Sequence, residues 1–116
     1  MKGSELLQNA RSLLEQGWCQ GAEARDSNGV ATHVTSSNAA SWSLLGALQA
    51  TSVSDPSTQL QDVGDAVAAL AEVIADPSLA HWNDSELRTK LEVLSVLRDA
   101  EVIAVEQLVY HEIAAN

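Results

Sequence analysis

The spacing of apolar residues is the feature that most restricts how this chain can fold. The clearest case is a run of five residues on one side of a predicted helix: Leu60, Val63, Val67, Leu70 and Ile74. Intervals of three and four residues are typical of a helix that turns one apolar side to a core. Pro56 stands in the first turn of this predicted helix, where proline is tolerated, and Asp76-Pro77 ends it. We therefore predict a mainly α fold.

Two more helices are predicted in the first half of the chain. Leucines and alanines recur at helical spacing over residues 4 to 16, with Ser4 as the cap and Gly17 as a left-handed terminating residue. A second helix of about 39 to 51 follows Asn38 as its cap and presents three apolar residues on one side: Trp42, Leu45 and Leu48.

The C-terminal region carries two apolar stripes that are rotated relative to each other. The first consists of Leu87, Leu91, Leu94 and Leu97, and the second of Val102, Val105, Val109 and Ile113. The change of direction falls between Asp99 and Glu101. Either one long helix changes its packing partner there or a bend divides it.

Between the first two helices, Asn28-Gly29 is a turn signal between short segments that tolerate β structure. We predict that any strands are confined to one small hairpin within residues 22 to 33. The whole chain then forms a single-domain bundle of four or five helices, with residues 101 to 116 as a C-terminal helix extension.

The stretch "HWNDSELRTK" (residues 81–90) has the pattern of a helix start. Asn83 or Asp84 can cap the last helix, and Glu86 can complete a capping box. Trp82, just before the cap, is predicted to pack on Leu87 or on a neighbouring residue of the first turn. Deleting a buried Trp82 side chain by substitution with alanine is predicted to cost about 3 kcal/mol of stability.

Charge bears on the choice of partner. The chain has 16 acidic and 6 basic residues, a net charge of −10, and no Lys or Arg from Asp26 through Leu87. Such a surface repels nucleic-acid phosphates and favours a protein partner with a basic surface, although solubility alone also explains it. The candidate acidic partner surface comprises Asp55, Asp62, Asp65, Glu72 and Asp76.

Composition also indicates a compartment. No apolar run approaches the ~18 residues of a membrane span, and the N-terminal residues lack the apolar core of a signal peptide. The single cysteine, Cys19, excludes an internal disulfide. We expect a cytoplasmic protein with no membrane association.

Residues that bear catalytic or metal-binding chemistry are scattered. His33, His81, His111 and Cys19 show no ligand spacing typical of a metal site, and no glycine pattern matches a phosphate-binding loop. Carboxylate pairs occur as ordinary helix charges, without a cleft to shift their pKa values. We expect no enzyme activity, no metal and no cofactor.

Three segments carry a resemblance to a known family. In order and separation, "GWCQGAEARD", "SWSLLGALQA" and "HWNDSELRTK" resemble a family of small uncharacterised proteins of bacteria and their phages, over about residues 4 to 100. That family has no known activity, and it often has a cysteine where this chain has Ser43, which argues against a required role for that position. The matching positions are Trp18, Gln20, Gly21, Arg25, Asp26, Trp42, Gly46, Trp82, Asn83 and Asp84.

Two functions compete on these observations. The first is a non-enzymatic acidic interaction protein, of phage or mobile-element origin as the resemblance implies, which inhibits a host defence protein by binding its basic surface, as anti-CRISPR proteins do. The alternative is a small-molecule or nucleotide-signal binding protein with a tryptophan-lined pocket. Its candidate binding residues are Trp18, Gln20, Arg25, Asp26, Trp42, Trp82, Asn83 and Asp84; alternatively the tryptophans meet in the core.

The second C-terminal stripe predicts self-association. Val102, Val105, Val109 and Ile113 lie beyond the region that the resemblance covers, so their apolar side needs cover from elsewhere. We expect a homodimer in which the C-terminal helices form a twofold contact. The alternative is that this helix folds back onto its own domain.

Overall fold

The computed structural model describes residues 1–115 and confirms the mainly α fold. The described residues form five helices and one two-stranded antiparallel sheet. In chain order the elements are α1 (Gly3–Gln16), β1 (Ala24–Asp26), β2 (Ala39–Trp42), α2 (Leu44–Ser54), α3 (Leu60–Val73), α4 (Leu79–Asn83) and α5 (Lys90–Ala115).

Helix α1 lies at the centre of the fold and packs against α2, α3 and α5. Its inner side is formed by leucines and alanine that are almost completely buried: Leu6, Leu7, Ala10 and Leu14. The side of α5 that meets it is formed by Val93, Leu97, Ala100 and Ala104. Small alanines between the larger residues let the two helices approach closely, so one continuous core joins both halves of the chain.

The predicted ends of the first two helices are corrected by the structure. Helix α1 follows Lys2 rather than Ser4, and Gly17 is extended (φ −176°) rather than left-handed. Gly17 is required for another reason, because a Cβ there would lie 2.2 Å from the carbonyl oxygen of Ala40. Helix α2 begins five residues later than predicted, after Ser43, whose hydroxyl accepts from the backbone N–H of Gly46.

The residues predicted to open the second helix form a strand instead. Strand β2 pairs with β1 so that Ala24 lies opposite Trp42 and Arg25 opposite Ser41. Strand β1 lies within the predicted hairpin region, but its pairing inside that region is limited to an isolated bridge from Arg25 to Ala31. The second strand is therefore outside residues 22 to 33, because β1 finds its main partner beyond the turn rather than next to it.

The inward sides of α3 and α5 also differ from the prediction. Leu60 is 92% exposed and Val67 is 37% exposed, whereas Ala66 and Ala69 are buried beside Leu70. The small alanines let neighbouring helices pack closely around Leu70, so this side of α3 faces the core and the side of Leu60 and Val67 does not.

Helix α5 is one continuous helix, which settles the alternative left open by the sequence. The predicted first stripe is only half correct: Leu97 is buried and Leu94 packs against the core, whereas Leu87 and Leu91 are 87% and 78% exposed. Among the described residues, no helix is both long enough and apolar enough to cross a membrane.

The capping box predicted at Asn83 and Glu86 is wrong, because Asn83 ends α4 and α5 begins only at Lys90. The capping bonds at the start of α5 come from Thr89 and Glu92. The Thr89 hydroxyl accepts from the Glu92 N–H (3.3 Å), and the Glu92 carboxylate accepts from the Thr89 N–H (3.1 Å).

Candidate functional site

The loop after α1 and the turn after α4 are far apart in the sequence but meet in the fold. The loop runs beside β2, since the Cys19 N–H donates to the Trp42 carbonyl (3.0 Å) and the Trp42 N–H donates to the Gly17 carbonyl (3.0 Å). This alignment fixes Trp18 and Gln20 against the α4 turn, which is where four of the eight candidate binding residues come together.

Asn83 is the centre of this cluster and is fully buried. Its amide oxygen accepts from the Trp18 indole N–H (2.8 Å) and from the Leu44 backbone N–H (3.0 Å). Its amide nitrogen donates to the Cys19 carbonyl (3.1 Å) and to an Asp84 carboxylate oxygen (2.9 Å). Four bonds use the full hydrogen-bonding capacity of an asparagine side chain.

Gln20 and Asp84 close the cluster from the outside. The Gln20 amide nitrogen donates to the carbonyl oxygens of Asn83 (2.9 Å) and Ser85 (2.8 Å), and the Gly21 N–H donates to Asp84 (3.0 Å). Gly21 has a positive φ of 77°, a conformation that favours glycine. We call the four side chains of Trp18, Gln20, Asn83 and Asp84 the Asn83 clasp.

Arg25 and Asp26 serve the adjacent turn. The Arg25 guanidinium donates to the carbonyl oxygens of Gln20 (3.0 Å) and Gly29 (2.9 Å). Asp26 accepts from the backbone N–H groups of Asn28 (2.9 Å) and Val30 (3.0 Å). Arg25 is therefore joined to the clasp through Gln20, whereas the bonds of Asp26 stabilise the turn and do not extend to the clasp.

Trp42 and Trp82 lie outside the clasp. Trp42 is buried, and its indole N–H donates to the Val34 carbonyl (3.0 Å). Trp82 is half-buried against the core and is covered by Arg88, whose guanidinium carbon lies 3.8 Å from the ring centre. The predicted packing on Leu87 does not occur, since that side chain is 87% exposed.

The clasp holds the two segments together and leaves no vacant polar group at its centre. Every hydrogen-bonding position of Asn83 is occupied by protein, so a ligand would have to displace an internal bond. The Trp-Asn-Asp motif is thus accounted for by a structural role. The sequence prediction of a pocket lined by all three tryptophans finds no support in this arrangement.

The five residues of the candidate acidic surface occupy different environments. Asp62 is buried and accepts from the Gln59 N–H (2.9 Å) at the start of α3. Asp55 binds the Met1 amino group (3.0 Å), and its pKa is lowered to about 2 by hydrogen bonds from Ser57 and from that amino group.

Asp76 accepts from His81 (2.6 Å), which lowers the pKa of the carboxyl group and raises the pKa of the imidazole. Asp65 and Glu72 are exposed on α3. The acidic surface is therefore smaller than predicted, because three of its five carboxylates are engaged in turns and helix ends.

The residues considered as metal ligands or nucleophiles make contacts with different residues. His33 bonds to Thr35 (2.9 Å), and the buried Cys19 thiol lies 3.7 Å from the Ala22 carbonyl oxygen. The side chain of His111 falls outside the described residues. Among the described residues, no group of three or more His, Cys, Asp or Glu side chains could hold a metal ion.

A groove on the opposite side of β2 was not predicted from the sequence. It has a volume of about 480 Å³ and lies between α1, the C-terminal half of α2 and the loop of residues 34–36. Trp42 lines it, together with Leu13 and Val34. Thr51, in the middle of α2, also lines the groove, and no spacing signal in the sequence marks this residue.

Comparison with known proteins gives one match. A sequence model of the DUF6197 family, described as a family of unknown function, matches residues 2–102. No curated protein and no solved structure matches the chain. The match covers the clasp and the core as far as Ala100, and residues 103–116, including the buried Ala104, lie beyond it.

Proposed function

Because the chain belongs to DUF6197, a family of unknown function, we propose its function from its own surfaces: it is a non-enzymatic protein that acts by binding other proteins. The observation that carries this proposal is the outer side of α5. This side faces away from the buried residues Val93, Leu97 and Ala100, yet it is also apolar.

The outer side of α5 carries five exposed apolar residues, Leu91 (78% exposed), Val102 (54%), Val105 (46%), Val109 (48%) and Ile113 (70%), with Ser95 and Arg98 between the first two. Eleven residues make slightly more than three full helical turns, so Leu91 and Ile113 each lie within about 20° of Val102 around the helix axis. An exposed apolar face of this length is typical of an association surface. We call it the α5 outer face.

The α5 outer face fits a second copy of the chain as its binding partner. Leu91 and Ile113 stand eleven residues before and after Val102, and Arg98 and Glu106 stand four residues before and after it. An antiparallel twofold contact centred on Val102 therefore places Leu91 opposite Ile113 of the second copy and Arg98 opposite Glu106 of the second copy. Leu91 with Ile113 and Arg98 with Glu106 are thus matched in one register, whereas Val105 and Val109 lie opposite Asp99 and Ser95 of the second copy.

A groove beside the α5 outer face supports this contact. It has a volume of about 350 Å³ and is lined by Val102, Val105, Arg98 and the Arg11–Glu101 ion pair (3.1 Å). Apolar walls with charged edges can receive a valine or isoleucine side chain from a partner helix.

The acidic charge suggests the chemistry of a further partner. Segment 26–87 contains no Lys or Arg, and it presents exposed carboxylates at Asp65, Glu72, Asp84 and Glu86. We propose that this surface binds a basic surface of another protein. A protein of bacterial or phage origin that covers the nucleic-acid channel of a defence protein in the host cytoplasm is the most specific form of the proposal.

Light scattering tests the twofold contact. At 50 µM the intact chain should have twice the mass of the 12.3 kDa protomer. Val102→Glu should give a folded monomer, because two carboxylates would meet at the twofold axis, whereas Leu87→Glu, at an exposed leucine outside the face, should remain a dimer. A wild-type monomer at this concentration would contradict the proposal.

A charge exchange tests the register. Arg98→Glu alone should weaken the dimer, and adding Glu106→Arg should restore it, because the pair is then reversed rather than lost. If the double variant is no better than the single variant, the twofold centre at Val102 is wrong.

Binding to a basic partner is tested by purification from bacterial lysate, followed by measurement with the purified partner. Binding should weaken between 50 and 300 mM NaCl, and it should weaken further in Asp65→Asn/Glu72→Gln. Glu15→Gln, which removes an acid outside the segment, serves as the control. Binding that depends on neither salt nor the α3 acids would rule out this surface.

A further inference from the structure

The groove behind β2 has the form of a small-molecule site and is separate from the α5 outer face. Its apolar surface comes from Leu13 of α1, Val34 of the loop, Trp42 of β2 and Val53 of α2. Its volume of about 480 Å³ is within the range of about 300–1,000 Å³ that is usual for ligand pockets.

One polar side chain in this groove is buried without a partner. Thr51 is 3% exposed, and its hydroxyl oxygen forms no hydrogen bond within the described residues 1–115. A threonine inside a helix commonly donates to the carbonyl four residues earlier, and Thr51 does not. Buried hydroxyl groups are normally paired, and this one is unpaired and closed off from solvent in a residue that lines the groove.

The charges around the groove restrict the ligand further. Its described lining contains no Asp, Glu, Lys, Arg or His side chain. Met1 lies at its edge, but the Met1 amino group is held by Asp55 (3.0 Å) and Thr58 (3.2 Å). An anion would find no free cation there, and a cation would find no free carboxylate, so a charged ligand would lose its hydration without compensation.

Trp42 contributes an apolar ring rather than a hydrogen bond. Its indole N–H is already bonded to the Val34 carbonyl (3.0 Å), which fixes the ring against the groove. We propose that the groove binds an uncharged, mainly apolar small molecule with one oxygen that accepts a hydrogen bond from the Thr51 hydroxyl. Nucleotide signals are excluded from this site by their phosphates.

The test uses 2-octanone as an uncharged probe with one acceptor oxygen, and octanoate as its charged counterpart. Two-dimensional NMR on the 15N-labelled protein should show saturable shifts of the Trp42 indole N–H and of the backbone N–H groups around Val34 and Thr51. Octanoate at the same concentration should give much smaller shifts.

Substitutions then separate binding from folding. Thr51→Val keeps the shape of the side chain and removes the hydroxyl, so it should weaken 2-octanone binding about fivefold, the effect of one neutral hydrogen bond. Thr32→Val, outside the groove, should bind as wild type does. Ala50→Trp, which fills the groove, should abolish the shifts while leaving the helical circular dichroism unchanged.

Three outcomes would overturn the proposal: no saturable shift up to the solubility of the probe, equal binding by Thr51→Val, or tighter binding of octanoate. The measurement is repeated on Val102→Glu, which tests the dimer independently. Shifts that persist in this variant support a site within one protomer, whereas their loss would place the probe at the contact between copies and overturn the proposal.

Discussion

Asn83 and Thr51 are both buried polar residues, but they differ in the hydrogen bonds that their side chains form. Asn83 is fully buried and makes four side-chain hydrogen bonds, whereas Thr51 is 3% exposed and its hydroxyl makes none. The comparison shows in which of the two regions the buried polar groups are all hydrogen-bonded. The Asn83 clasp is saturated and stabilises the fold, while the groove at Thr51 holds a hydroxyl group that forms no hydrogen bond within the described residues.

The largest expected effect comes from breaking the saturated region. Asn83→Ala should lower the free energy of unfolding by about 4 kcal/mol, because it leaves the Trp18 indole N–H, the Leu44 N–H and the Cys19 carbonyl unpaired at once. Urea unfolding followed by circular dichroism measures this loss.

Asn38→Ala, at an exposed loop position, is the matched control and should change stability by less than about 0.5 kcal/mol. If Asn83→Ala unfolds at the urea concentration of the wild type, the clasp is not a structural element and its polar groups are accessible to a ligand after all.

Trp82→Ala should have an intermediate effect. The sequence predicted a loss of about 3 kcal/mol for a fully buried ring. Trp82 is half-buried and is covered by Arg88, so we now expect a loss of about 2 kcal/mol in thermal or urea unfolding. A variant that unfolds like wild type but fails to bind a partner would show that Trp82 belongs to a binding surface.

The smallest effect has the opposite sign. Thr51→Val should raise the free energy of unfolding by about 0.5 kcal/mol, because a methyl group replaces a buried hydroxyl that has no partner. Thr32→Val should leave it unchanged. A loss of stability in Thr51→Val would show that the hydroxyl is paired within the fold, which removes the difference from Asn83.

The sequence predicted where the helices lie better than it predicted which side of each helix is buried. Helical spacing identified α1, α3 and α5, and it placed an exposed apolar stripe at Val102 and Val105. Spacing alone cannot select between two apolar sides of one helix. On α5 the core took the side on which Ala100 and Ala104 alternate with Val93 and Leu97, because the small alanines let α1 pack closely there.

The role of the site residues could not be predicted where it depends on contacts between segments that are distant in the sequence. The motif residues Trp18, Gln20, Asn83 and Asp84 were selected together, and they do meet. Their role as a clasp depends on 65 residues of intervening chain, so local capping rules assigned Asn83 to the wrong helix. Thr51 carried no local signal, because only the arrangement of α1, α2 and β2 leaves its hydroxyl unpaired.

The bond from the Leu44 N–H to Asn83 also bears on the order in which the chain folds. Leu44 is the first residue of α2, and its N–H is satisfied by a side chain that lies 39 positions later. During synthesis, α2 therefore lacks this bond until Asn83 has left the ribosome. A nascent chain that stops in α3 has an incompletely capped second helix, and the arrival of α4 completes the first half of the protein as well as the second.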